Sequence, residues 1–169
     1  MTDIAPGLYR SSGSLAEGDW SVVLRPENAG WRYCGLRAAT LRPAGRLEFS
    51  SARDEVIVLS LEGSFDVTVD GRTYSIIGRP SVWAGPSDFV YAPPGCVLTV
   101  SSTAGGRFAV ATARGDARFP VRYVAAGDVA VELRGGGACS REVRNFAAAD
   151  RFEADRLIAV EVLTPGGNW

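Results

Sequence analysis

The sequence predicts an all-β domain of the sandwich or barrel class. Short runs rich in valine, isoleucine and aromatic residues recur along the chain, and clusters of Gly, Pro, Asp and Ser separate them. One run, Phe65-Asp66-Val67-Thr68-Val69, alternates apolar and polar residues, as a strand with one buried and one wet face must. Asp70-Gly71 follows at once and a second run, Arg72-Thr73-Tyr74-Ser75-Ile76, comes after it. Asp-Gly between two such runs predicts a hairpin, because a type I′ turn needs positive φ at both central positions.

Taken in order, the predicted strands are Ser21 to Leu24, Tyr33 to Leu41, Glu55 to Leu61, Ser64 to Val69, Arg72 to Ile77 and Ser81 to Ala84. Phe89 to Ala92, Cys96 to Ser101 and Arg107 to Ala113 complete the first set. After Ala113 the pattern loosens through Arg114-Gly115-Asp116 and Phe119 to Tyr123, and then gives a strand-like Val129 to Leu133. Gly135-Gly136-Gly137 interrupts any regular element there. Asp150 to Asp155 reads as one helical turn with Asp150 as its N-cap. A last apolar strand, Arg156 to Leu163, ends in the turn Thr164-Pro165-Gly166-Gly167.

Composition excludes several function classes. A chain of 169 residues suits one compact domain burying roughly 70% of its unfolded surface. Its 18 basic and 19 acidic residues give a net charge of −1, so no electrostatic attraction to nucleic acid or an anionic membrane is expected. Every basic residue is arginine, which removes lysine Schiff-base and lysine-base chemistry. There is no histidine. No apolar run approaches the roughly 20 residues of a membrane helix, and the first seven residues lack a signal-peptide pattern, so a cytoplasmic location is expected. Cys34, Cys96 and Cys139 are odd in number and far apart, which fits small buried apolar residues better than a disulfide framework or a zinc knuckle.

Two segments carry a resemblance. Pro43 to Glu48 with Asp54 to Gly63 resembles the first sequence motif of the cupin barrels, and Gly78 through Pro93-Pro94-Gly95 resembles the second. The resemblance implies an antiparallel jelly-roll barrel. Cupins carry His-x-His and a glutamate in the first motif and one more histidine in the second. Aligned on Glu55, the first pair falls on Glu48 and Ser50, and aligned on Pro93 and Gly95 the last falls on Leu98. Only the glutamate is retained, so the barrel is a degenerate one. Three further stretches are similar to the 5-deoxy-glucuronate isomerases of myo-inositol catabolism: Ala29-Gly30-Trp31 to Arg37, Gly137-Ala138-Cys139 to Phe146, and Phe152 to Trp169. That closer resemblance implies a two-barrel enzyme converting 5-deoxy-glucuronate to 2-deoxy-5-keto-gluconate, with a divalent metal in the second barrel. This chain then corresponds to the N-terminal barrel (residues 1–115), a connection (116–155) and a strand and turn opening the second barrel (156–169). No cofactor and no metal ligand are expected within it.

Aldose–ketose isomerisation needs a base beside the sugar carbon and a Lewis acid for the developing oxyanion, and neutral imidazoles are the usual ligands for that metal. Glu55 and Tyr91 are the candidate substrate-binding residues, and no catalytic residue is assigned. Glu55 either faces the barrel mouth as the counterpart of the cupin glutamate or opens its strand as a solvated carboxylate beside Asp54. Tyr91 either lines a pocket with its hydroxyl or packs in the core with a local hydrogen bond. Arg37 and Arg141 have the fork that grips a carboxylate, against the ordinary role of a surface arginine. Trp31 and Trp83 read as core or barrel-end packing.

Three functions are open on this reading. The first is an N-terminal barrel of the isomerase, structural and inactive alone. The second is a free-standing degenerate cupin binding a small sugar acid or a protein partner without chemistry. The third is a metal-independent isomerase with Glu55 and Tyr91 as acid and base. Under the first, the strand from Ala159 lacks partners, so a homodimer or strand-exchanged oligomer is expected.

Overall fold

A computed structural model describes residues 9–167. The N-terminal stretch read above for a signal peptide, and Asn168 and Trp169, lie outside the described residues.

Two sheets curl against one another and share one long strand. β1 (Trp20–Leu24), β2 (Cys34–Leu41), β3 (Gly45–Ser50), β4 (Asp54–Val69), β5 (Arg72–Arg79), β6 (Phe89–Ala92), β7 (Val97–Ser102), β8 (Gly106–Arg114) and β9 (Arg122–Val124) form the barrel. Its first wall runs β1-β2-β8-β4-β6-β9, and the second joins β3, β7, β4 and β5. The runs read as two strands, from Glu55 and from Ser64, are one continuous β4. Its first half pairs with β6 and β8 and its second with β5 and β7. The strand changes wall at a bulge beside Gly63, whose φ of 93° a side chain would strain. The Asp70-Gly71 hairpin is present with φ of 45° and 86°, the positive pair that a type I′ turn requires.

Several elements depart from the pattern read in the sequence. Ser81 to Ala84 is not a strand: Val82–Ala84 is a 3-10 turn, with Ser81 Oγ accepting from the Trp83 N–H at 3.3 Å. Gly45–Ser50, noted only as part of a motif, is a strand paired along its length with β7. Arg122–Val124, in the loose stretch, adds to the barrel wall beside β6. The turn near residue 150 closes on Ala148, whose carbonyl accepts from Arg151 and Phe152, so Asp150 is not its cap.

Beyond the barrel, β10 (Ala130–Arg134), β11 (Arg141–Asn145) and β12 (Val160–Leu163) make a separate antiparallel sheet in that order. The last strand is shorter than expected. It pairs with β11 along one edge only.

Strand parity sorts the core into two layers. Val56, Val58, Val90, Val110, Phe108, Phe49, Leu98 and Val100 meet inside the barrel. Alternate residues of the same strands, Ile57, Leu59, Phe89 and Tyr91, point out of it and are covered by Phe119, Phe146, Phe152 and Leu157 from the C-terminal segment. No described helix is long and apolar enough to cross a membrane.

Candidate functional site

The barrel interior is where a ligand of this architecture would sit, and here it is filled. Leu47, Phe49 and Leu98 project inward and are at most 9% exposed. Glu48 and Ser50, the positions aligned with the cupin His-x-His, are exposed on the opposite face of β3. The pleat explains the correction: on a strand, a one-residue offset moves a side chain to the other face. The inward positions are therefore Leu47 and Phe49, which offer a metal no donor. Among the described residues no group of three His, Cys, Asp or Glu could hold an ion. The inward residues of this barrel do not suit a cupin-type metal; the metal that the resemblance implies belongs to a second barrel.

Glu55 and Tyr91 are brought together, though neither faces the mouth. Both lie on the outer face of the barrel wall with 0% exposure, under the C-terminal segment. The Tyr91 hydroxyl donates to Glu55 Oε1 at 2.6 Å. Three backbone N–H groups complete the shell: Asp155 donates to Oε1 at 2.8 Å, Arg156 to Oε2 at 2.8 Å and Leu157 to Oε2 at 3.0 Å. A carboxylate only accepts, and here four donors converge on it. This explains how a buried carboxyl is tolerated, and it corrects the picture of a solvated Glu55. Burial, then the hydrogen bond to Glu55, pushes the Tyr91 phenol well above its ordinary range. The pair clasps residues 155–157 to the barrel, while Arg122 lies over the Phe152 ring at 4.6 Å.

A second tie joins β12 to the barrel. Glu161 accepts from Arg79 Nη2 at 2.6 Å and from Nη1 at 2.8 Å, and from Arg144 Nη1 at 2.9 Å. Arg144 Nε donates to Glu142 at 2.6 Å, and its Nη1 also donates to the carbonyls of Val82 and Gly85. Both guanidiniums are 3% exposed. Nothing in the sequence spacing marks this trio, because its members are brought together across as many as 82 positions.

The remaining candidates scatter. Arg141 is exposed and donates to its neighbour Cys139 O. Trp31 and Trp83 are 51% and 69% exposed, so neither packs in a core. Of the cysteines only Cys96 is buried, its thiol pushed up to about 11 mainly by burial, while Cys34 and Cys139 are exposed. Arg37 alone reaches the barrel interior. It is paired with Val110 and so shares its inward face, with its guanidinium 5.8 Å from the ring centroids of both Trp20 and Phe49.

Two curled antiparallel walls around an apolar interior, joined by one strand that changes wall, define a cupin-type β-barrel. The KduI/IolB family matches residues 8–169, and the chain belongs to that family. A 5-deoxy-glucuronate isomerase of Geobacillus thermodenitrificans is 32% identical over 94% of this chain and 58% of its own length. That of Geobacillus kaustophilus is 32% identical over 88% of this chain and 54% of its own. The crystal structure of an IolB-like protein from Salmonella typhimurium superposes with a TM-score of 0.83 at 30% identity, over 90% of this chain and 59% of that one. Protein YlbA of Escherichia coli, at 14% identity and a TM-score of 0.53, shares the fold alone. The chain thus spans little more than half the length of the relatives it matches.

Proposed function

We propose that this chain acts as the first barrel of a two-barrel 5-deoxy-glucuronate isomerase, with the metal chemistry in the part of the relatives that it does not match. The supporting observation is the combination of near-complete coverage of this chain with 58% coverage of the isomerase from Geobacillus thermodenitrificans. The apolar inward positions Leu47, Phe49 and Leu98 agree with a barrel that shapes and braces rather than catalyses. In this reading the barrel domain of residues 1–115 is completed by β9, and the rest of the segment from 116 carries the joint to a second barrel. The substrate is 5-deoxy-glucuronate and the product 2-deoxy-5-keto-gluconate, an aldose–ketose conversion within inositol catabolism, and the setting is cytoplasmic.

The test is an isomerase assay of the purified chain with added manganese or zinc, alone and mixed with the unmatched C-terminal part of the Geobacillus thermodenitrificans relative. The expected result is no turnover alone and turnover in the mixture. Turnover by the chain alone would overturn the proposal.

A second reading has an observation in its favour. The C-terminal segment is clasped by Glu55 and tied by Glu161, so it is integrated with this barrel. That integration suits a self-contained barrel that binds a small sugar acid without chemistry, and absence of turnover in the mixture would favour it.

A further inference from the structure

A cleft of about 370 Å³ opens between the separate sheet and the 3-10 turn of Val82–Ala84. Trp83 lines it from the barrel, and Leu133, Leu163 and Pro165 line it from the sheet and the turn that follows. Direct pairing sets Leu133, Glu142 and Leu163 in one row across β10, β11 and β12, with Val131, Arg144 and Glu161 in the next, so all six share a face. The charged members of that face are tied down. Glu161 holds Arg79 and Arg144, and Arg144 donates to the carbonyls of Val82 and Gly85. The apolar members are left open, with Leu133 85% and Trp83 69% exposed.

One charge at the cleft has no counterpart. Glu142 and Glu161 answer Arg144, and Glu161 also answers Arg79. Arg141 lines the same cleft, donates to the neighbouring Cys139 carbonyl at 3.0 Å and has no carboxylate partner among the described residues. Past the cleft the apolar surface continues to the open edge of β12, where Val160 and Val162 are exposed as well. Such a surface exceeds what a small molecule in the cleft would cover, and it marks a site for a folded partner.

We propose that this cleft is the seat of a second barrel, which brings an apolar side chain between Trp83 and Leu133 and a carboxylate to Arg141. The inference rests on the reading of this chain as a first barrel, and it adds which residues make the contact. The match to 58% of the Geobacillus thermodenitrificans relative leaves 42% of that protein, enough for one further domain. A tryptophan beside a cleft is the kind of anchor on which interfaces depend, and an arginine forks a carboxylate in two charge-assisted bonds. A second copy of this chain meets the cleft only with the same unmatched cation, which makes it the weaker occupant.

Co-expression of the tagged chain with the unmatched C-terminal part of that relative tests the seat without requiring either piece to fold alone. A 1:1 complex is expected by size exclusion with light scattering. Leu133→Glu and Arg141→Glu should each raise its dissociation constant at least about tenfold, read by dilution of the purified complex. Val97→Glu, at an exposed position of β7 in the barrel, should leave it unchanged. All three positions are exposed, and a melting curve verifies that each variant folds. Turnover is assayed separately, so a 1:1 complex without turnover upholds the seat and counts against the isomerase reading. No complex on co-expression, a complex indifferent to both cleft substitutions, or a homodimer of the chain that persists unchanged beside the partner would overturn the proposal.

Discussion

Glu55 concentrates more hydrogen bonding than its place in the sequence suggests, since the chain that surrounds it arrives a hundred positions later. Glu55→Gln would turn an NH2 toward backbone N–H groups that can only donate. The expected loss is about 3 kcal/mol, the cost of leaving buried donors unmet, read from urea unfolding. Tyr91→Phe removes one donor and should cost about 1–2 kcal/mol in the same measurement. The two tyrosines also set an alkaline limit. Tyr91 is held well above its ordinary range by burial and by Glu55, and Tyr123 is pushed up to about 12 by burial and then by its hydrogen bond to Asp88. Both phenols ionise more readily in the unfolded chain, near pH 10. Stability is therefore whole below about pH 10 and falls as the pH rises toward 12 and beyond, where the unfolded state releases more protons. Combining Tyr91→Phe with Tyr123→Phe should flatten that decline, measured as melting temperature against pH. At this scale the sequence showed which residues had chemistry to offer. It could not show which would meet.

At the scale of elements, β12 is held by charge as much as by its ladder with β11. Removing the Glu161 carboxyl leaves two guanidiniums, each 3% exposed, without their shared counter-charge. Glu161→Ala is expected to cost about 3–5 kcal/mol, as breaking a buried ion pair from one side does. Native-state hydrogen exchange should show the amides of β12 and residues 155–157 opening first. Protection of β12 unchanged from that of the parent chain would argue against the tie. The hairpin at Asp70-Gly71 was legible because its turn is a local property of two adjacent residues. Ser81 to Ala84 misled because its apolar run has no strand to pair with, and a short run without a ladder relaxes into a turn. Gly45–Ser50 was passed over for the converse reason: β7 supplies the pairing from some fifty residues away.

For the whole molecule, the separate sheet leaves apolar groups in water. Leu133 is 85% exposed, Ile158 65%, Val162 51% and Val160 50%, and Trp83 stands nearby, so β12 presents both an open edge and an apolar flank. We propose that this region joins chains into a homodimer or a strand-exchanged oligomer when no second barrel covers it. Light scattering after size exclusion should give a mass that rises with protein concentration, and Leu133→Glu should hold the chain at the monomer mass. A monomer at all concentrations would reject the idea. The sequence by itself determined the β class, the Asp-Gly hairpin, the family and the lack of imidazole ligands, because composition, local turn chemistry and linear motifs are properties of the chain as written. Only the tertiary structure decided that Glu48 and Ser50 face out, that Glu55 is buried beneath residues 155–157 and that Arg37 turns inward against the rings of Trp20 and Phe49. Those facts depend on the phase of each pleat and on which distant segment comes to cover it, and both are settled only when the walls close around a common core.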